Sequence, residues 1–376
     1  MNKRKKKEEL EKAVMLDPEG VKAKKKMRRK RIVIGILSAF GVIILSLVVA
    51  VVIIRKMGEN SLRNSVEISH PIIETPETAA ARVEQPEEWK EGWIKYGDKV
   101  YEYNEDLLNF LIMGIDKNGE VKEVAEGTNG GQADALFLLV LNPRDDSIKI
   151  VAINRNTMTD IDIYNEQGDY VTTTKAQIAV QHGFGNGLEE SCEYQVEAVR
   201  KLLYNMPIHG YAAINMAAIP IINDSVGGVN VEVLSDVKTF SGKLVFKQGE
   251  AKHLMGEDAY HYIHDRDGNE FGSADMRLAR QKQYLTNFVS QAKMAAKEDM
   301  GVVTTLYNDI KPYMTTDISF DEVAYLAPEV IGYTFDSYNI KSPAGETVAG
   351  EEFEEFYVDE DSLFETVLDV FYDEVE

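Results

Sequence analysis

The chain has a single cysteine, Cys192, among its 376 residues. One cysteine cannot form an intramolecular disulfide, and it excludes a zinc site built from several thiolates. Basic residues are also scarce, since 41 Lys and Arg stand against 63 Asp and Glu. The sequence has no Walker A, GxSxG or HExxH pattern either, so the chemistries of P-loop NTPases, α/β-hydrolases and zincins have no support.

The net charge of −22 hides a strong asymmetry. Residues 1–31 contain 14 Lys and Arg but 5 Asp and Glu, a net charge of +9, so the remaining residues carry −31. Residues 32–54 follow as a run of 23 residues without any charge. A helix of that length extends about 35 Å, against about 30 Å for the hydrocarbon core of a bilayer. We therefore predict a basic cytoplasmic tip at 1–31 and a transmembrane anchor at 32–54.

A cleaved signal peptide is the alternative to an anchor. Its apolar region is usually only about 7–15 residues long and ends in a small-x-small cleavage site, whereas the residues after Ile54 read Arg-Lys-Met-Gly-Glu-Asn. The positive-inside rule then predicts a single-pass protein of the cell membrane, with its N-terminus in the cytoplasm. Residues 55–92, rich in Pro and Glu, are predicted to form an extracytoplasmic stalk.

The rest of the chain mixes strand and helix patterns. Continuous apolar runs at 107–115, 135–141 and 148–153 predict buried strands. Helical spacing predicts a helix over 188–203 with Cys192 on its apolar stripe, which favours a buried, unreactive thiol. We expect one α/β domain with a central mixed β-sheet flanked by helices, comprising a body at 93–300 and an acidic, helical C-terminal extension at 301–376.

Two local patterns give sharper expectations. The polar turn at 142–147 predicts an antiparallel hairpin, and a turn centred between Arg144 and Asp145 gives paired residues that sum to 289. Asp134 then lies opposite Arg155 at one end of the sheet. The glycine-rich stretch QHGFGNG at 181–187 predicts a flexible loop.

Charged residues near these elements suggest chemistry. Arg266, Arg277 and Arg280 fall within 15 residues of one another, and arginine forks suit bidentate binding of phosphate. The alternative is a salt-bridged helix surface. Asp116 and Asp134 both flank strands and could hold a hard cation such as Mg²⁺, although each taken singly is more typical of an ordinary strand end.

A series of motifs then resembles a known family. The motifs are FLIMGID, QADALFLLVLNP, IVAINRNTM, HGFG, MPIHGYAAINMAAIPIINDSVGGVNVEV, LMGEDAYHYIHDRD and ADMRLARQKQYL. Their order resembles the LytR-CpsA-Psr family of cell-wall glycopolymer ligases over roughly residues 105–293. The resemblance implies transfer of a phosphorylated glycan, such as teichoic acid or capsule, from a polyprenyl-pyrophosphate carrier to peptidoglycan. A phosphodiester would form outside the membrane, with Mg²⁺ or Mn²⁺ on the pyrophosphate and an apolar tunnel around the lipid.

The resemblance also implies roles for nine residues. They are Asp116 and Asp134 as metal ligands, Arg155, Arg266, Arg277 and Arg280 as catalytic contacts to the pyrophosphate, and Gln132, His264 and Gln281 as substrate-binding residues. The partners implied are the lipid-linked glycan, peptidoglycan and membrane lipid, without nucleic acid.

Three positions depart from the family pattern. Gln132 and His264 stand where the family usually has arginine, and Asn156 stands where it usually has aspartate. Asn156 cannot accept a proton, so a general base at that position is lost. Two other functions therefore remain open, a non-catalytic membrane-anchored binder or scaffold for lipid-linked precursors and a hydrolase of the carrier pyrophosphate. Transcriptional regulation is disfavoured, because an acidic domain outside the membrane would not contact DNA.

Overall fold

The computed structural model describes residues 56–62, 89–90, 92–124, 129–165 and 167–375. Contacts divide the chain into two units, 1–57 and 58–376, and the fold described below is that of the second. The predicted cytoplasmic tip, the anchor at 32–54 and most of the stalk lie outside the described residues. Among the residues that are described, no helix combines the length and the apolar character needed to traverse a bilayer.

The described part of the chain contains both strands and helices, and its first seven strands precede the helix Glu189–Leu202. The strands are β1 (Ile94–Tyr96), β2 (Lys99–Tyr103), β3 (Leu108–Ile115), β4 (Ala133–Asn142), β5 (Ser147–Ile153), β6 (Met158–Tyr164), β7 (Tyr170–Gln177), β8 (Gly210–Asn215), β9 (Val229–Glu232), β10 (Val237–Lys238), β11 (Leu244–Phe246), β12 (Ala251–Leu254), β13 (Met314–Thr316), β14 (Ile340–Lys341), β15 (Gly345–Ala349), β16 (Glu354–Val358) and β17 (Tyr372–Glu374).

Residues 56–62 are helical. The α-helices that follow in the described ranges are α1 (Glu189–Leu202), α2 (Ile219–Ser225), α3 (Glu257–His264), α4 (Ser273–Glu298), α5 (Gly301–Ile310), α6 (Phe320–Val330) and α7 (Glu360–Phe371). Short 3₁₀ helices span Ile178–Phe184, Met216–Ala218, Lys311–Tyr313 and Ser337–Asn339.

A six-stranded mixed sheet forms the centre of the domain, in the order β13-β8-β3-β4-β5-β14. Strands β3 and β8, and likewise β5 and β14, run parallel, whereas the other neighbours are antiparallel. The predicted fold class, a central mixed sheet flanked by helices, is confirmed.

Strand β4 is apolar from residue 135 to residue 141 because both faces of the sheet are covered there. Leu136 and Leu138 point into a core cluster with α1 and α7, whereas Phe137 and Leu139 pack against a second cluster that includes residues of α6. Successive side chains of a strand point to opposite faces. A continuous apolar run is therefore what a doubly covered strand requires.

The hairpin between β4 and β5 has the register that its turn predicts. Leu136 pairs with Ile153 and Asn142 with Ser147, and both pairs sum to the predicted 289. This register carries Asp134 and Arg155 to the same end of the sheet.

The C-terminal extension completes the fold. β13 is one edge strand of the central sheet and β14 is the other, and β17 pairs with β2 near the start of the domain. In α7 the predicted stripe is confirmed, since Leu363, Val367 and Phe371 are buried in the main core cluster. Residues beyond 300 therefore belong to the same folded unit as the body.

The glycine-rich stretch at 181–187 is not the flexible loop that its composition predicts. Most of it belongs to the 3₁₀ helix Ile178–Phe184, in which His182 and Gly183 are buried. A Cβ on Gly185 would lie 2.4 Å from the backbone nitrogen of Ser191, and one on Gly130 would lie 2.6 Å from the carbonyl oxygen of His182. The glycines therefore allow backbones to pack closely. Cys192 is fully buried beside them, as predicted, and burial raises the pKa of its thiol.

His209 gives the fold a predicted pH dependence. The Asn109 backbone N–H donates to His209 Nδ1 at 3.1 Å, and burial lowers the pKa of His209 to about 4, against about 6.5 for an unfolded histidine. Between these values the unfolded chain binds more protons. Stability from this group is therefore complete above pH 6.5 and falls by about 3 kcal/mol as the pH drops towards 4.

We expect His209→Asn to remove this contribution from the pH dependence of the free energy of unfolding, measured by urea titration between pH 7.5 and 4.5. The variant side chain keeps an acceptor near the Nδ1 position but does not titrate. His253→Asn, on the exposed strand β12, is the control and should keep the wild-type slope. Equal slopes in the two variants would contradict this assignment.

Candidate active site

One end of the central sheet opens into a cavity with a volume of about 920 Å³, within the range of small-molecule sites. The segments that follow β3 and β5, the start of β4, the end of α3, the first turns of α4 and the β15–β16 hairpin form its walls. Among its polar lining residues are Asp116, Gln132, Asp134, Arg155, Asn156, Gln177, His264, Asp265, Arg266, Arg277 and Glu354.

Asp134 lies between two arginines at the floor of this cavity. Arg155 Nε lies 2.9 Å from Asp134 Oδ1, and Arg277 Nη1 donates to Asp134 Oδ2 at 2.9 Å. The Asp134–Arg155 proximity is the one that the hairpin register predicts. Burial disfavours the charged carboxylate, but Arg277 and Arg155 outweigh it and hold the pKa of Asp134 below its usual range.

The amide side chains of two nearby residues hold Arg155 in place. Its Nη2 donates to Gln132 Oε1 and its Nη1 to Asn156 Oδ1, the latter at 3.2 Å. Asn156 Oδ1 also accepts from Gln177 Nε2 at 3.1 Å. The Nε of Arg155, although close to Asp134, has no aligned hydrogen-bond acceptor among the described residues. The contact of this buried donor with Asp134 Oδ1 is therefore an ion pair without an aligned hydrogen bond.

The turn after β5 positions this arginine. Asn154 Oδ1 accepts from the Asn156 backbone N–H at 2.9 Å, a local side-chain turn of the kind asparagine favours. Asn154 Nδ2 also donates to Asp275 Oδ1 of α4 at 2.7 Å. The turn that presents Arg155 is thus tied to the helix that presents Arg277.

Asp116 follows β3 directly and reaches the same cavity. Its Oδ1 accepts from the Gln132 backbone N–H at 2.6 Å. Burial raises the pKa of Asp116, and the nearby charge of Asp134 adds to the effect. Carboxylate oxygens are the donors that a hard divalent cation prefers, and one Asp116 oxygen has no protein donor among the described residues, so the pair of Asp116 and Asp134 fits such an ion.

Arg266 adds a third guanidinium. Its Nη1 donates to Ser273 Oγ at 3.2 Å. Burial lowers the pKa of Arg266, and the positive charge of Arg277 lowers it further. Crowded, partly dehydrated cations of this kind favour an anion between them.

The sequence places His264 and Asp265 next to Arg266, where α3 ends. Asp265 accepts from two imidazoles, that of His264 at 3.0 Å and that of His261 at 2.8 Å. Burial opposes the charged form of Asp265, but hydrogen bonds from His264 and His261 outweigh it and lower its pKa.

Two of the residues assigned by resemblance do not reach the cavity. Arg280 is 2% exposed and donates to the carbonyl oxygens of Tyr262, at 2.9 Å, and Asp265. Gln281 Nε2 donates to the Ile263 carbonyl at 3.0 Å. Both side chains hydrogen-bond to backbone carbonyls at the end of α3. Through these bonds they position His264 and Arg266, and they do not contact a ligand. Burial lowers the pKa of Arg280 to about 10.

The structure also shows a wall that the sequence did not predict. Residues 349–355 of the β15–β16 hairpin line the cavity together with the exposed Phe240. Glu354 Oε1 accepts from the Gly272 N–H at 2.7 Å, just before α4. Gly350 between two alternating segments is the available signal for this hairpin.

The cavity has a mixed polar and apolar lining, unlike the apolar tunnel around the lipid that the resemblance implied. Its apolar part comprises Met158, Ala176, Val180, Phe240, Ala349 and Phe353. The interior between β4 and α1 is filled by fully buried side chains such as Leu136, Leu138 and Val199.

Residues 74–365 match the model of the LytR_cpsA_psr family. A polyisoprenyl-teichoic acid–peptidoglycan teichoic acid transferase TagU from Bacillus cereus is 30% identical over 216 residues, which cover 57% of this chain and 62% of that relative. The chain therefore spans less than two thirds of that relative.

Two solved structures share the fold. B. subtilis TagV has a TM-score of 0.53 and 24% identity, covering 70% of this chain and 95% of its own. A structure described as TagT bound to LIIa-WTA has a TM-score of 0.52 and 20% identity, covering 70% of this chain and 89% of its own. At these identities the likeness shows the fold. The family match covers well over half of the sequence, and the chain belongs to the LytR_cpsA_psr family.

Proposed function

We propose that this protein transfers a phosphorylated glycopolymer from a polyprenyl-pyrophosphate carrier to peptidoglycan and so forms a phosphodiester. The observation that carries the proposal is the cluster of Arg155, Arg266 and Arg277 around two carboxylates in one cavity. The named activity of the B. cereus relative, a teichoic acid transferase acting on peptidoglycan, supports it.

The arginines suit the chemistry of this transfer. Phosphoryl transfer depends mainly on positioning and on stabilising charge at the equatorial and leaving oxygens. Arg155 and Arg277 are fixed by Asp134, so their charges need little reorganisation when a pyrophosphate enters. Arg266 is held more loosely, by one hydroxyl, and its guanidinium completes the group on the α3 side of the cavity.

Asp116 and Asp134 are the residues that would hold Mg²⁺ or Mn²⁺ in this site. Such an ion supplies charge neutralisation on the pyrophosphate when it is bound. The protein residues meanwhile orient the diphosphate, and the amides of Gln132 and Asn156 hold Arg155 where the family pattern has charged side chains.

We also propose that the domain works outside the cell membrane, tethered by the apolar segment at 32–54. The basic residues before this segment favour a cytoplasmic N-terminus. A tether of this kind keeps the cavity close to a carrier lipid that never leaves the bilayer, and the basic tip would meet anionic lipid headgroups.

The test uses the full chain in detergent micelles. Mass spectrometry of the purified protein should reveal co-purified polyprenyl phosphates. Release of prenyl phosphate from a prenyl-diphosphate-linked sugar, in the presence of peptidoglycan fragments, should then require a divalent cation. Arg155→Ala should reduce this turnover by about 100-fold, the usual effect of removing one charge-stabilising donor.

Arg144→Ala is the matched control, because Arg144 lies on the exposed β4–β5 turn and pairs with Asp106 and Asp373. Lipid that co-purifies without any turnover would support the non-catalytic binder instead. Turnover that releases the phosphorylated glycan to water, with no product on peptidoglycan, would support the hydrolase. Full activity in Arg155→Ala would remove the site assignment.

A further inference from the structure

The end of α3 carries a hydrogen-bonded group of one carboxylate and two imidazoles, next to the arginines of the cavity. Asp265 is the residue after the helix, and its extended backbone turns its side chain towards the last helical turn. There it faces the rings of His261 and His264 at 2.8 and 3.0 Å. One carboxylate oxygen bonds each ring.

The hydrogen bonds fix which ring nitrogen carries the proton. The pKa of Asp265 is lowered despite its burial, so its side chain is a carboxylate, which can only accept. The hydrogen of the neutral His264 ring therefore lies on Nδ1. Its Nε2 is then a free acceptor, since no residue in the described ranges hydrogen-bonds to it.

The ring of His264 is also held in place. It stacks on Tyr260, four residues earlier on α3, with ring centroids 4.6 Å apart and an interplanar angle of 17°. The side chain is 30% exposed and lines the cavity together with Asp134 and Arg277.

We infer that His264 is the general base of the reaction, with Asp265 as its positioning residue. This inference rests on the proposed transferase function and names the group that activates the acceptor hydroxyl. A neutral imidazole oriented by a carboxylate is the arrangement that removes a proton from a hydroxyl in many unrelated enzymes. It supplies the acceptor that Asn156 cannot provide.

The acceptor hydroxyl oxygen of the peptidoglycan sugar forms a bond to the glycan-side phosphorus of the pyrophosphate. The bond between that phosphorus and the bridging oxygen breaks, and polyprenyl phosphate leaves with the electron pair. The hydroxyl proton passes to His264 Nε2 and from there to water, which returns the ring to its neutral form.

The alternative role for His264 is that of a cation that merely binds phosphate, and substitution separates the two. We expect His264→Gln to lower kcat for prenyl phosphate release by about 100-fold with little change in KM for the donor farnesyl-diphospho-N-acetylglucosamine. His264→Arg should bind this donor at least as tightly but should not restore kcat. Asp265→Asn should lower kcat by about tenfold, because the ring loses its fixed tautomer.

The pH profile provides a second readout. A general base gives kcat an acid limb, and we expect this limb to be absent from the residual activity of His264→Gln. Other ionisable groups could shape the profile too. Those that share the cavity or the helix end with His264 are Tyr260, His261, Asp265, Arg266, Asp116, Asp134, Arg155, Lys175, Arg277, Glu352, Glu354 and Glu355.

All variants are made in the full chain, and urea unfolding verifies that each is folded. His253→Gln, on the exposed strand β12, is the control and should keep wild-type kcat and KM. Unchanged kcat in His264→Gln, or recovery of kcat in His264→Arg, overturns the base assignment while the transferase function stands. Absence of turnover in the wild-type protein overturns both together.

Discussion

Asp134→Asn should both destabilise the protein and inactivate it. The substitution leaves Arg155 and Arg277, whose side chains are only 12% and 4% exposed, close together without their shared counter-charge. Removing one partner of a buried ion pair typically costs about 3 kcal/mol, since the remaining charge stays dehydrated. The loss of a fixed arginine geometry should reduce pyrophosphate cleavage by about 100-fold.

The exposed pair of Arg144 and Asp106 provides the matched control. Their side chains are 49% and 41% exposed, and Asp106→Asn should change the free energy of unfolding by less than about 1 kcal/mol. Urea unfolding and prenyl phosphate release measure both effects on the full chain. Equal stability of Asp134→Asn and Asp106→Asn would contradict the view that Asp134 is the charge centre of the cavity.

Phe364→Ala, in the C-terminal extension, should also have a large effect, a loss of stability. Phe364 of α7 is fully buried in the main core cluster and contacts the rings of Tyr96 and Tyr204. Truncation of a buried phenylalanine costs about 3–5 kcal/mol through lost transfer free energy and the cavity left behind. Thermal and urea unfolding should show a single weakened transition.

Phe353→Ala is the control for that loss of an aromatic ring. Phe353 lies in the loop between β15 and β16 and is 68% exposed, so its replacement should change stability by no more than about 0.5 kcal/mol. If Phe364→Ala lost as little as Phe353→Ala, α7 would be an appendage rather than part of the core.

Much of this fold follows from local patterns in the sequence. The β4–β5 turn fixes the pairing of Leu136 with Ile153 because the turn lies midway between the apolar runs of the two strands. The stripe of α7 is visible because apolar residues recur at helical spacing. The proximity of Asp134 and Arg155 then follows from the register of the β4–β5 hairpin alone.

Other parts of the site depend on distant contacts. Arg277 and Arg280 are three residues apart on α4, about 60° apart around the helix. That rotation is enough for one to face Asp134 and the other the carbonyls of Tyr262 and Asp265. Resemblance grouped the two, whereas packing separates them.

The β15–β16 hairpin was missed for a related reason. Its second strand is an acidic sequence without a buried face, stabilised by pairing with β15 and by the bond from the Gly272 N–H to Glu354. Strand propensity alone does not mark such a segment, because pairing and tertiary contacts decide it.

The edge strands contributed by residues beyond 300 have a consequence for biogenesis. The innermost strands of the sheet are synthesised long before β13 and β14, and the hairpin that walls the cavity comes later still. Such non-local pairings raise the contact order and slow folding. A nascent chain that has been synthesised only as far as α6 therefore lacks the β15–β16 wall, and its cavity is complete only after residues 345–358 have been added.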